Sequence, residues 1–199
     1  MTTAVLLLLL SALAAAPAPS DEEDEAWPQF RGYRARGVAE GFETPETWSV
    51  PQERGVRWRV PVPGLAHSSP VVWGERVYVT TAVRLEGRAV LASLYGSPGY
   101  GAGDSVPGEG AHSWRVYCLD ASTGRVLWER TSHEGVPAVK RHPKSTHANP
   151  TPACDAGGVV AFFGSEGLYA YDPDGELLWK RDLGVLDAGA PDVDDTDAY

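Results

Sequence analysis

One short pattern is written twice in this chain, as CLDASTGRVLW at 118–128 and AYDPDGELLW at 170–179. In each copy a small residue is followed two positions on by Asp, then by a Gly, then by Trp four residues after that Gly. Asp120, Gly124 and Trp128 thus answer to Asp172, Gly175 and Trp179. A chain that repeats itself at a period near fifty residues is built of units that cannot bury an apolar face alone. Such units must stack on one another.

A second echo supports this. His67-Ser68-Ser69-Pro70 and His147-Ala148-Asn149-Pro150 stand eighty residues apart, each at the head of a unit. Within the first unit, period-two alternation and β-branched residues predict strands over 69–73, 76–81, 114–119 and 125–130, with a two-residue Gly74-Glu75 hairpin link. The second unit predicts strands over 159–163, 168–171 and 176–181. In both units Asp at the turn accepts from backbone amides while Gly takes a positive φ. Val56-Arg57-Trp58-Arg59-Val60 also alternates and predicts a strand, with Trp58 in the place of a last-strand Trp. The 22 Gly and 16 Pro suit many short strands better than long helices. The fold class is all-β, with four-stranded antiparallel units. Residues 82–113 interrupt the first unit between its second and third strands, and six Gly within 96–110 exclude regular structure there.

The net charge of −10 is not spread evenly. Ten of the 27 acidic residues lie in Asp21–Glu25 and at Asp187, Asp192, Asp194, Asp195 and Asp197, leaving 17 against 17 Lys and Arg. The body is neutral, which excludes the basic stripe of a nucleic-acid surface. Residues 1–18 read as a signal peptide, with an apolar run from Val5 to Leu13 and small residues after it. That run is shorter than a membrane-spanning helix needs. Residues 19–26 read as an acidic linker, and 27–199 as the repeats. The expected location is periplasmic or extracellular.

The motif, read as A-x-D-x-x-x-G-x-x-x-W, resembles the repeat of pyrroloquinoline-quinone-like (PQQ-like) β-propellers. The stretches WPQFRG (27–32), GLAHSSPVVWGERVYV (64–79) and FFGSEGLYAYDPDGELLWKRDLG (162–184) are similar to those of exported bacterial members of that family. The resemblance implies a propeller of four-stranded antiparallel blades, with about two blades present and the ring incomplete. It also leads to the expectation that the chain is the N-terminal part of a longer one. In such a fold Asp120, Gly124, Trp128, Asp172, Gly175 and Trp179 hold neighbouring blades together. First strands line a central channel, which makes His67, Ser68, His147 and Asn149 candidate channel-facing binding residues.

The family's dehydrogenases carry adjacent cysteines against the quinone, a Ca²⁺ held by Glu and Asn, and an Asp base. Here Cys118 and Cys154 are 36 residues apart and are expected to be free thiols. This segment supports no cofactor and no catalytic residue. PQQ and calcium enter only under the alternative of a quinoprotein oxidoreductase whose active site lies outside it. The five His (His67, His112, His133, His142 and His147) fall in no compact ligand spacing, so no metal site is expected. No phosphate loop and no nucleophile elbow is present. The sequence therefore points to a non-catalytic binding or scaffold module, whose protein or small-molecule ligand it does not identify.

Overall fold

The computed structural model describes residues 26–39, 44–87 and 109–186. The expected signal peptide, most of the acidic linker, residues 88–108 of the insertion and the acidic stretch after residue 186 lie outside them.

Among the described residues, eight strands form two antiparallel four-stranded sheets, each a meander in chain order. The first sheet contains β1 (Val71–Trp73), β2 (Arg76–Arg84), β3 (His112–Asp120) and β4 (Val126–Gly135). The second contains β5 (Ala153–Asp155), β6 (Gly158–Phe162), β7 (Leu168–Tyr171) and β8 (Leu177–Arg181). The fold is all-β, two propeller-type blades without a closed ring among the described residues. No helix among them is long and apolar enough to cross a membrane. The strands reach into the expected insertion from both sides, because β2 runs to Arg84 and β3 begins at His112.

The repeated motif forms the same local structure twice. The Asp120 carboxylate accepts from the backbone amides of Ser122 and Thr123 and from both of their hydroxyls. These bonds pull its carboxyl down to about 2. Asp172 likewise accepts from the amides of Asp174 and Glu176. Gly124 and Gly175 have φ of +73° and +83°, a region in which a Cβ is strained. A register shift follows Cys118 in one sheet and Ala170 in the other, so that Trp128 stands opposite Cys118 and Trp179 opposite Ala170.

That pairing builds one cross-strand row, Val71, Tyr78, Cys118 and Trp128, on the face of the first sheet that meets the second. Cys154, Val159, Ala161, Phe163, Tyr169 and Tyr171 of the second sheet close the core against it. Trp128 seals the outer end. Its Nε1 donates to the Pro173 carbonyl at 2.9 Å, and a Cβ on Gly175 would stand 2.7 Å from the indole. Arg76 and Arg130 add bonds to the carbonyls of Pro173 and Gly175. At the inner end Trp27 pairs with Val72 while Cys154 N donates to the Pro28 carbonyl, so WPQF bridges β1 and β5.

The opposite face of the first sheet corrects one expectation. Residues 56–60 form no strand, yet their alternation survives, with Val56, Trp58 and Val60 half-buried and Arg57 and Arg59 exposed. Pro61 and Pro63 remove ladder donors. The segment packs as an unpaired extended chain on Val77, Tyr117 and Leu119. Trp58 repeats the seal: its Nε1 donates to Ala121 O at 2.8 Å, and a Cβ on Gly124 would stand 2.6 Å from its ring.

Candidate functional site

A buried polar cluster lies where the insertion re-enters the first sheet. Glu109 lies three residues before His112, which opens β3, and Arg141 and His147 come from the loop that links the two sheets. Arg141 grips the Glu109 carboxylate with two bonds, Nε to Oε2 and Nη2 to Oε1, each 2.9 Å. His147 Nε2 donates to the same Oε2 at 2.7 Å. These three side chains are only 3%, 5% and 6% exposed (Arg141, Glu109 and His147). Burial alone raises the Glu109 carboxyl, but the bonds from His147 and Arg141 outweigh it and bring it down to about 2.

His112 adds a second imidazole. Its Nδ1 lies 2.8 Å from the Gly110 carbonyl, which can only accept, so Nδ1 carries the hydrogen and Nε2 the lone pair. Burial pushes this imidazole down, toward the neutral ring. The His112 and His147 rings meet edge to face with centroids 5.0 Å apart. Both pack on Trp114, which also touches His133 and whose Nε1 donates to the His147 carbonyl at 2.9 Å. The cluster thus holds a carboxylate fixed by a guanidinium, beside two imidazoles in an enclosed setting.

The four residues singled out for a channel go to different neighbours. His67 is exposed, and its amide and that of Ser68 both donate to Ala148 O. Ser68 Oγ accepts from Thr80 Oγ1 at 2.9 Å. Asn149 accepts from the amide and hydroxyl of Thr146 inside its own loop. His147 alone enters the polar cluster. Glu109, Arg141 and His112 were not singled out from sequence. Glu109 lies 38 residues from His147, at the edge of a Gly-rich stretch, and no local spacing signals their meeting.

A family profile described as outer membrane protein assembly factor BamB matches residues 111–199. Over that span the chain is similar to the repeats of that family. No curated protein matches it. The matched span takes in β3 and β4 and the whole second sheet, including both copies of the Asp–Gly–Trp motif.

The two thiols are free and buried, and they stand in the core between the two sheets. Burial pushes Cys118 up to about 11 and Cys154 up to about 12. They belong to different sheets and do not form the adjacent pair that stacks on a quinone in the enzymes the repeat resembles.

Proposed function

We propose that this chain is an exported PQQ-like repeat module that acts by binding and scaffolding, without catalysis, in the periplasm or outside the cell. The observation that carries the reading is the work of the repeated motif. Asp172 and Gly175 shape the turn on which Trp128 lies, joining sheet to sheet, and Asp120 and Gly124 shape the turn on which Trp58 of the preceding segment lies, each by an indole pressed on a Gly turn and bonded to a turn carbonyl. The outer face of the second sheet repeats the docking row of the first, as Ala153, Val160, Ala170 and Trp179. There Leu178 and Trp179 are 57% and 41% exposed, beside a shallow groove lined by the same row. A surface of that shape suits a protein partner that presents a turn and an apolar strand face. The description of the matched family, a factor in outer membrane protein assembly, supports the same class of role. His67, Ser68 and Asn149 remain candidates for binding at the inner end, each on its own.

The discriminating experiment is quinone reconstitution. The full-length protein, loaded with PQQ and Ca²⁺, is assayed for dye reduction with alcohols and sugars. Rates at the level of free cofactor are expected. Reproducible turnover that needs protein, quinone and Ca²⁺ together overturns the reading.

A further inference from the structure

We propose that Glu109, His112 and His147 form a site for a divalent transition-metal ion of borderline softness, zinc above all. One ligand atom from each of the three lies within 4.8 Å of the other two. Two imidazoles and a carboxylate are a donor set suited to zinc and its first-row neighbours, and a poor one for calcium or magnesium, which favour all-oxygen shells. Four-coordinate zinc with bonds of about 2.0–2.1 Å needs ligand atoms about 3.3 Å apart. His147 Nε2 and Glu109 Oε2 already stand 2.7 Å apart, so binding asks for a slight opening of that pair and a modest approach of His112.

The surroundings of the three donors are those of a held site. Gly110 O takes the Nδ1 hydrogen of His112 and thereby fixes its ring and leaves Nε2 as the donor. Arg141 anchors the carboxylate, and Trp114 ties down the backbone of His147. To bind, His147 takes the tautomer with its hydrogen on Nδ1, which frees the Nε2 lone pair, and the ion takes the place of the Nε2 hydrogen against Oε2. Arg141 adds a positive charge that weakens the site, so a fourth ligand of negative charge, hydroxide or halide, is favoured at the open position. The absence of a compact spacing motif does not argue against this. Such motifs describe ligands from one segment, whereas this set spans residues 109 to 147.

The test uses the whole chain, without a His tag, after treatment with chelator. Co²⁺ is titrated and followed by visible absorption, and Zn²⁺ is then added as competitor. One equivalent of Co²⁺ is expected to give the intense bands of four- or five-coordination, and Zn²⁺ to abolish them. His112→Gln and Glu109→Gln are each expected to weaken binding at least ~100-fold, more than the loss of an outer-shell partner. His67→Gln, an exposed imidazole outside the cluster, is expected to leave it unchanged. If a cluster variant does not fold, the parent's spectrum decides by itself. No saturable binding, a weak octahedral spectrum, or folded cluster variants that bind as tightly as the parent would overturn the proposal.

Discussion

Gly175→Ala perturbs the seam between the blades at one atom. The added Cβ would stand 2.7, 2.9 and 3.0 Å from Cδ2, Cγ and Cε2 of Trp128, at a backbone φ of +83°. The left-handed conformation alone disfavours alanine by about 1 kcal/mol. The clash then forces the indole outward. Loss of its bond to the Pro173 carbonyl removes about 1 kcal/mol, and partial exposure of a ring that is now 8% exposed removes about 1 kcal/mol more. The sum is about 3 kcal/mol. Gly74→Ala supplies the control, since Gly74 has φ +53° and no atom within 4 Å of its added Cβ. It bears only the conformational term, about 1 kcal/mol. Urea unfolding followed by tryptophan fluorescence measures both. In a Trp128→Leu background the Gly175→Ala penalty is expected to shrink toward that of Gly74→Ala. Equal penalties for the two glycines in the parent background would refute the reasoning.

Two further outcomes follow from the ionisable groups. Asp120 is held down to about 2 from 3.8 by its turn hydrogen bonds, so its carboxylate stabilises the fold above the unfolded value and loses that effect as pH falls from about 3.8 toward 2. The stability gap between parent and Asp120→Asn should close across that window in urea titrations at stepped pH, and a constant gap contradicts it. The thiols should resist iodoacetamide at pH 8 in the folded protein. Raising Cys118 from 9.0 to about 11 and Cys154 from 9.0 to about 12 lowers their thiolate fractions by about two and three orders of magnitude. Unfolding without reductant should then expose two reactive thiols by mass shift, and none would mean a disulfide.

The fold was legible where side-chain chemistry acts locally. Asp with Gly at fixed offset specifies a turn through bonds made within five residues, and alternating β-branched residues specify the flanking strands. Strand β5 was missed because Ala153–Asp155 is three residues long and carries no alternation to count. Residues 56–60 were misread for the opposite reason. Alternation reports which side chains are buried, and Trp58 and Val60 are packed inward without any ladder partner. The polar cluster was hidden because its members converge only through tertiary structure. The insertion delivers Glu109 to a loop that begins after β4, and nothing near Glu109 in sequence marks it as the partner of Arg141 and His147.

The central claim is that the two sheets are consecutive blades joined by an indole lying on a glycine turn. Proton NMR of the folded chain tests it most directly. The position of an added Cβ, nearly equidistant from three Trp128 ring atoms, places one Hα of Gly175 against the ring face. That proton should be shifted strongly upfield and show a nuclear Overhauser effect to the Trp128 indole, and Gly124 should show the same toward Trp58. Glycine Hα shifts near random-coil values, with no contact to either indole, would contradict the account.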